Sequence, residues 1–235
     1  MARLQLENVS VEYPIYNARS QSLRNHIVAA GVGGRLARQA LGAITVRALD
    51  GVTLDLRNGD RIGLVGHNGS GKTTLLRTMA RIFAPTSGRI NVSGKVSTVF
   101  GLGAGAEPEL SGYENIVRMS MLLGSTLAQA KACIAEIDEF AELGAFLTVP
   151  IRTYSAGMLT RLMFAVATSV NPDILLVDEV MGAADQDFQR KARKRMGAFV
   201  ERSSIFVLAS HTEELLKLYC NKVYTLDHGR LVGVS

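Results

Sequence analysis

The chain has 235 residues but only two cysteines, Cys133 and Cys220, and neither stands in a CxxC pair. Because disulfide scaffolds and most structural zinc sites need closely spaced cysteines, we expect reduced thiols, a cytosolic protein and no zinc site. No apolar run approaches the roughly 18 residues of a membrane-spanning helix. The N-terminus opens directly on an alternating strand pattern, so we expect no signal peptide. A hydrophobic fraction of 47% against 20% charged residues excludes a disordered chain and predicts one large α/β domain.

Acidic residues are missing from one long segment, residues 17–47, which carries the whole formal net charge of +5. Its basic residues are Arg19, Arg24, Arg35, Arg38 and Arg47. Such a basic insert can bind anionic lipid, a protein partner or nucleic acid, or it can be a solvated surface excursion. The segment has no interleaved aromatic residues and no DNA-reading motif, so we expect no nucleic-acid partner.

The order of the predicted elements indicates an α/β fold, because strand and helix patterns alternate as in a mostly parallel sheet covered by helices. We predict strands near residues 4–9, 52–56, 61–65, 90, 96–100, 174–177, 205–209 and 222–226. We predict helices near 72–82, 111–123, 126–143, 155–171 and 188–202, and a short one from 212. Helices dominate from 101 to 171. The single domain therefore divides into a core, 1–100 and 172–235, and an inserted helical subdomain, about 101–171.

One segment predicts a phosphate-binding loop. Residues 66–73 have the sequence GHNGSGKT and match G-x-x-x-x-G-K-[ST] between an apolar strand and a helix. Glycines let backbone N–H groups point at the phosphates, and the helix N-terminus adds positive charge. We expect Lys72 to bridge the β- and γ-phosphates and the Thr73 hydroxyl to bind Mg²⁺. The predicted nucleotide-binding residues are Gly66, His67, Asn68, Gly69, Ser70, Gly71, Lys72, Thr73 and Thr74.

A second segment predicts the rest of a metal–nucleotide site. Residues 174–177 form an unbroken apolar run, which is typical of a buried strand, and two acids follow at its end. We expect Asp178 to hold Mg²⁺ together with Thr73. Glu179 is placed to orient or to deprotonate an attacking water. Two adjacent carboxylates favour hydrolysis over binding alone.

Three further motifs resemble those of the ATP-binding cassette (ABC) ATPases, and all the motifs occur along the chain in the order that this family has. Ser155, Ala156 and Gly157 lie 23 residues before Asp178 and resemble the signature motif, in which a capped helix N-terminus faces a γ-phosphate. His211, 32 residues after Glu179, resembles the family's switch histidine. Asp185 resembles the aspartate of the family's D-loop, within a variant sequence.

The resemblance covers nearly the whole chain and implies a P-loop NTPase fold, with a RecA-like core, antiparallel β-strands and a helical subdomain. It implies ATP and Mg²⁺ as cofactors. It also implies a head-to-tail homodimer, in which residues 155–157 and Asp185 of one copy contact the ATP of the other. We expect Tyr13, or else Tyr16, to stack on the adenine. Leu102 or Gly101 stands where the family has the glutamine of its Q-loop.

Finer features resemble one branch of the family, the ATPases of exporters for bacterial surface polysaccharides such as O-antigen, capsule and teichoic acid. The features are LTRLMFA after the signature motif, the segment 101–116 with its glycine-rich loop, and the basic insert. This resemblance implies peripheral attachment to the cytoplasmic face of the inner membrane and separate integral membrane permease subunits. The chain ends soon after the predicted strand 222–226, so we expect no C-terminal glycan-binding domain in it.

Other functions stay open at this point. The same kind of transporter could move a drug or another lipid. A second alternative is a soluble ABC ATPase that acts on ribosomes or DNA, but such proteins usually have paired cassettes or coiled-coil insertions. A third is a P-loop kinase, which would lack Ser155, Gly157 and His211 and would transfer phosphate to an acceptor. We expect the basic insert to contact the membrane subunit or anionic headgroups. A second basic group, at 190–195, is expected to be a solvated helix surface.

Overall fold

The computed structural model describes residues 1–15, 44–99, 103, 105–178 and 186–234, and these contain two β-sheets and a set of α-helices. The strands are β1 (Arg3–Ile15), β2 (Ile44–Arg57), β3 (Arg61–Val65), β4 (Ser87–Ser93), β5 (Val96–Val99), β6 (Ile174–Asp178), β7 (Ile205–Ala209), β8 (Lys222–Asp227) and β9 (Arg230–Val234). The helices are α1 (Lys72–Met79), α2 (Gly112–Leu122), α3 (Leu127–Ala132), α4 (Ile134–Ala141), α5 (Ala156–Ala167), α6 (Gln186–Arg202) and α7 (Glu213–Tyr219). None of the described helices is long and apolar enough to cross a bilayer.

The larger sheet has six strands in the order β5-β6-β7-β3-β8-β9. All its neighbouring strands pair in parallel except β8 and β9, which form an antiparallel hairpin. β7 is buried along its whole length, as its unbroken apolar sequence predicts. The second sheet is antiparallel, with the order β2-β1-β4. The predicted fold class, a P-loop core with added antiparallel strands, is confirmed.

The second strand starts earlier than the sequence predicts. The prediction begins it at Val52, because Val52, Leu54 and Leu56 are the residues that alternate as in a strand. In the structure β2 starts at Ile44 and runs through Gly51, which has a positive φ of 65° and marks a bulge in the pairing with β1. Residues 44–47 of the predicted basic insert are therefore strand residues. The rest of the insert, including Arg19, Arg24, Arg35 and Arg38, lies outside the described residues.

Apolar side chains form three buried clusters. One joins the antiparallel sheet to α1 and to one face of the six-stranded sheet, and a second packs α6 and α7 on the opposite face. A third cluster runs from Ile116 to Val166 and is the core of the helical region. The helical region thus has a core of its own, beside the two that cover the sheet.

Local capping explains where the helices of this region begin. Ser111 and Thr126 each cap a helix through a capping box, and Ser155 caps α5 by accepting from the Met158 N–H. The Ser111 hydroxyl and N–H both donate to Glu114, which lowers the pKa of that carboxyl. The single helix predicted over 126–143 is two helices, α3 and α4, which meet at Cys133.

The expectation that residues 190–195 form a solvated helix surface is wrong for Arg195, which is largely buried. Its side chain is only 12% exposed and forms an ion pair of 2.8 Å with Glu136 of α4. Its guanidinium also donates to the Thr168 hydroxyl at 2.7 Å and lies 4.5 Å from the centroid of the Phe140 ring. Arg195 therefore connects α6 to the helical region, whereas Arg190 on the same helix is 80% exposed.

Replacing Arg195 by methionine is expected to destabilise the protein by about 2 kcal/mol, because a part-buried ion pair, a hydrogen bond and a cation–π contact are lost together. Arg190→Met is the matched control and should stay within about 0.5 kcal/mol of wild type, because that side chain is solvated. Urea unfolding followed by circular dichroism measures both. Equal midpoints for the two variants would contradict the assigned role of Arg195.

Candidate functional site

The P-loop joins β3 to α1, and its backbone requires glycine at two positions. Gly66 has φ 154° and Gly71 has φ 108°. A Cβ on Gly66 would lie 2.2 Å from the Leu226 carbonyl oxygen, and one on Gly71 would lie 2.6 Å from the Ala48 carbonyl oxygen. The loop therefore folds tightly against β2 and β8, as a chain that wraps its N–H groups around a phosphate must.

Two predicted halves of the site meet in the structure although they are far apart in sequence. The Thr73 hydroxyl donates to the Asp178 carboxylate at 2.7 Å, which links the start of α1 to the end of β6. A threonine hydroxyl and a carboxylate are hard oxygen ligands, so this pair fits Mg²⁺. The Lys72 ammonium donates to the Gly66 and His67 carbonyl oxygens at 2.7 and 3.1 Å, which holds it inside the loop.

These groups border one cleft of about 300 Å³. Among the described residues its walls are Val46, Arg47, Ala48, Asn68, Gly69, Gly71, Lys72, Thr73, Thr74, Asp178, Ala209 and His211. His211 is exposed on the wall that follows β7. Most of the predicted P-loop residues thus surround the cleft, together with the predicted metal ligands and His211. Of the other P-loop residues, Ser70 is buried and His67 contacts Asp227 instead.

Tyr13 is not among the described residues of this wall. It packs edge-on against Phe83, with ring centroids 5.6 Å apart. Its partner across the β1–β2 ladder, Val46, does line the cleft and is 46% exposed. Val46 was not predicted as a site residue, because from the sequence it belongs to the basic insert 17–47. The stacking role of Tyr13 stays a prediction, and Tyr16 lies outside the described residues.

Arg47 is tied to its own strand region. Its guanidinium forms ion pairs with Glu12 at 2.8 Å and with Asp50 at 3.1 Å. Arg230 contacts the same Asp50 carboxylate, and the hydrogen bonds from the two arginines lower the pKa of Asp50. Arg47 is therefore held beside the cleft by two carboxylates, unlike a freely solvated charge.

Ser155, Ala156 and Gly157 stand at the start of α5 and do not line the cleft of their own chain. Ser155 and Ala156 are exposed. Within the part of the chain that the structure describes, a Cβ on Gly157 would meet only the Ser155 hydroxyl, at 3.9 Å, so a ligand can approach this helix start closely. No acidic residue stands in the first turn of α5, which leaves the positive end of the helix available to an anion.

Several predicted residues lie outside the described part of the chain. These are Glu179 and Asp185, together with Gly101 and Leu102 at the position of the Q-loop glutamine. Their assigned roles stay predictions.

A second concavity lies on the helical region. It is an apolar groove of about 910 Å³, larger than the P-loop cleft but without its phosphate-binding groups. Its walls are Tyr113, Glu114, Val117, Arg118, Met121, Leu122, Lys131 and Ile134. Met121 and Leu122 are 47% and 64% exposed. No sequence motif predicts this groove, since it is formed by packing α2 beside α3 and α4.

The fold and the cleft define a P-loop nucleotide-binding domain with an inserted helical region. The sequence profile of the ABC transporter family matches residues 49–182, and the chain belongs to this family. The fold is similar to that of the dimeric post-hydrolysis ATP-binding cassette MJ0796 bound to ADP and phosphate, with a TM-score of 0.73 at 20% identity, covering 99% of this chain and 97% of that one.

Relatives similar in sequence include two O-antigen export proteins. The O-antigen export system ATP-binding protein RfbE of Yersinia enterocolitica is 56% identical over all 235 residues, which cover 98% of that protein. The O-antigen export system ATP-binding protein RfbB of Myxococcus xanthus is 41% identical over 83% of this chain. The chain spans 45% of the length of the Myxococcus protein.

Proposed function

We propose that this chain is the ATP-hydrolysing subunit of an ABC exporter that moves lipid-linked surface polysaccharide, O-antigen or a similar glycan, across the inner membrane. The observation that carries the proposal is the 56% identity to an O-antigen export ATP-binding protein along the whole of this chain. The cleft formed by the P-loop, Asp178 and His211 supports the ATPase part of it.

ATP binding uses the groups that meet at the start of α1. The Lys72 ammonium exchanges its two carbonyl acceptors for phosphate oxygens, and the P-loop N–H groups hold the β-phosphate. Thr73 and Asp178 hold Mg²⁺, which neutralises charge on the β- and γ-phosphates when bound. Val46 offers an apolar surface at the cleft wall for the base.

Hydrolysis needs groups at the γ-phosphate. Glu179, next to Asp178, orients or deprotonates the attacking water, and exposed His211 contacts the γ-phosphate from the cleft wall. The start of α5 completes the site from a second copy, because Ser155 and Gly157 do not line the cleft of their own chain. Two such copies in head-to-tail arrangement enclose two ATP molecules. Hydrolysis then reopens the dimer.

Coupling to transport needs a separate membrane subunit. The apolar groove beside α2 is a suitable contact surface, because its exposed Met121 and Leu122 offer apolar area and Arg118, Lys131 and Glu114 supply polar groups around it. We place the cytoplasmic segment of the membrane permease in this groove and the chain on the cytoplasmic face of the membrane.

The proposal is tested at two levels. Purified chain should release phosphate from ATP without any acceptor, which separates an ATPase from a P-loop kinase. In the native host, deletion of the gene should leave lipid-linked glycan on the cytoplasmic side and remove it from the cell surface. If the purified chain hydrolyses ATP but the deletion strain has normal surface glycan, the ATPase assignment stands and the glycan cargo is rejected. A drug or another lipid would then be the cargo.

The basic insert provides a further prediction. Replacing Arg19, Arg24, Arg35 and Arg38 together by glutamine should weaken binding to anionic membranes on the order of a thousandfold, because each basic residue near such a surface contributes about 1 kcal/mol. Nucleotide affinity should not change. Arg47→Gln is the comparison variant and should keep membrane binding, since Glu12 and Asp50 already pair with Arg47. Vesicle sedimentation and nucleotide titration measure the two affinities, and the reverse pattern would reject the role of the insert.

A further inference from the structure

A second set of metal-ligating side chains meets at the P-loop, apart from Thr73 and Asp178. His67, Asp227 and His228 each bring one ligand atom, and the three atoms lie within 4.8 Å of one another. His67 belongs to the P-loop, Asp227 is the last residue of β8, and His228 lies in the turn between β8 and β9. The phosphate-binding role assigned to the P-loop does not use these side chains.

The main chain fixes the two turns against each other. The Gly229 N–H donates to the Ser70 carbonyl oxygen at 2.8 Å, and the Asp50 N–H donates to the Gly229 carbonyl oxygen at 2.9 Å. His228 has a positive φ of 43°, a conformation that a non-glycine residue adopts at a cost in free energy. The backbone therefore brings the three ligand atoms close together.

The hydrogen bonds of His67 determine which ring nitrogen faces the carboxylate. Its Nδ1 lies 2.8 Å from the Asn68 carbonyl oxygen, which can only accept, so Nδ1 carries the proton. In the neutral ring the Nε2 lone pair then points at the Asp227 carboxylate oxygen, 3.1 Å away. Two lone pairs at this distance repel unless a proton or a metal ion lies between them. An Nδ1–H donated to a backbone carbonyl is also the arrangement that orients metal-binding histidines.

We propose that His67, Asp227 and His228 form a Zn²⁺ site with an open coordination position. Bond lengths of about 2.0–2.1 Å in tetrahedral geometry place neighbouring ligand atoms roughly 3.3 Å apart. The Asp227 oxygen lies 3.1 Å from the His67 Nε2 and 3.8 Å from the His228 Nε2. Two imidazoles and one carboxylate are a zinc donor set, whereas Mg²⁺ prefers oxygen ligands. The cysteine spacing predicts no zinc site, whereas the site proposed here uses two histidines and an aspartate as ligands.

Bound zinc would join the β8–β9 hairpin to the loop that holds the nucleotide phosphates. The His67 carbonyl accepts from Lys72, so the residue that binds the metal through its ring also contacts the P-loop lysine through its backbone. Since the metal binds the folded arrangement of two distant turns, Zn²⁺ should raise the thermal unfolding midpoint of the chain.

The test uses full-length chain without a polyhistidine tag and Zn²⁺ alone, with no nucleotide, in equilibrium dialysis. One equivalent should bind, and His228→Asn should weaken binding at least about tenfold, because asparagine tolerates the positive φ but removes the imidazole ligand. The thermal midpoint should rise with Zn²⁺ in wild type and not in His228→Asn. Basal ATP hydrolysis should be equal in the two proteins.

The two cysteines are the matched control for adventitious zinc binding. Burial raises the pKa of the Cys220 thiol to about 12, which disfavours the thiolate that zinc needs. A Cys133→Ser, Cys220→Ser variant should therefore keep the wild-type zinc affinity. Absence of stoichiometric binding, an unchanged affinity in His228→Asn, or loss of binding in the cysteine variant would overturn the proposal. So would nuclear magnetic resonance showing His67 protonated on both nitrogens with zinc in excess, since a proton would then occupy the place of the metal.

Discussion

Lys72→Met is expected to lower the rate of ATP hydrolysis by about 10²–10³-fold and to weaken ATP binding, because the variant loses the cation that neutralises the β- and γ-phosphates. The fold should persist. Among the described residues, the Lys72 ammonium donates to the Gly66 and His67 carbonyl oxygens, which water can also satisfy. Phosphate release and nucleotide titration measure the effect.

Lys194→Met is the matched control for Lys72→Met. Lys194 is an exposed residue of α6 and does not line the cleft, so its hydrolysis rate should equal that of wild type. The free energy of unfolding of both variants, measured in urea, should lie within about 0.5 kcal/mol of the wild-type value. Normal hydrolysis by Lys72→Met would reject the assignment of this cleft as the catalytic nucleotide site.

Glu179→Gln is expected to keep ATP binding and to lower turnover by about 10²–10⁴-fold, because glutamine can accept a hydrogen bond but cannot take the proton of the attacking water. With ATP unhydrolysed, the variant should stay dimeric. Size-exclusion chromatography in ATP and Mg²⁺ should show a dimer for the variant and mostly monomer for wild type after turnover. Glu139→Gln, at an exposed position of α4, should behave as wild type. Normal turnover by Glu179→Gln would contradict the role of this glutamate.

A mixing experiment tests whether α5 acts on the ATP of the partner copy. Gly157→Glu places an acid at the start of α5, where among the described residues a Cβ meets only the Ser155 hydroxyl at 3.9 Å, so it should block phosphate approach without unfolding the protein. Lys72→Met and Gly157→Glu should each have little activity alone. In their mixed head-to-tail dimer one of the two sites has neither substitution, so an equal mixture should recover about a quarter of the wild-type rate. No recovery would show that both groups act within one chain.

Local sequence patterns predict much of this fold. Strands 61–65 and 205–209 have the predicted ends, because short apolar runs between turn residues specify buried strands. Capping residues place the starts of α2, α3 and α5 for the same local reason. The P-loop is equally local, since strand, glycine-rich turn and helix follow one another directly.

Features that depend on distant contacts were harder to predict. Gly51 has the same sequence signature in a turn and in a bulge, and only pairing with β1 shows that the strand continues through it. From sequence alone, a basic residue on a helix is expected to be solvated. In the structure, Arg195 is covered by side chains from α4 and from the end of α5. The contact of His67 with Asp227 spans 160 residues, so nothing local indicates it.

We propose that ATP turnover by this chain serves glycan export through a separate membrane subunit. Affinity capture of tagged Glu179→Gln from solubilised native membranes, with ATP and Mg²⁺ and mass spectrometry of the partners, tests it most directly. We predict recovery of a polytopic permease together with glycan-synthesis enzymes, and loss of the permease when Met121 and Leu122 of the groove are replaced by aspartate. Recovery of soluble partners alone would contradict the claim, since the cassette would then power another process.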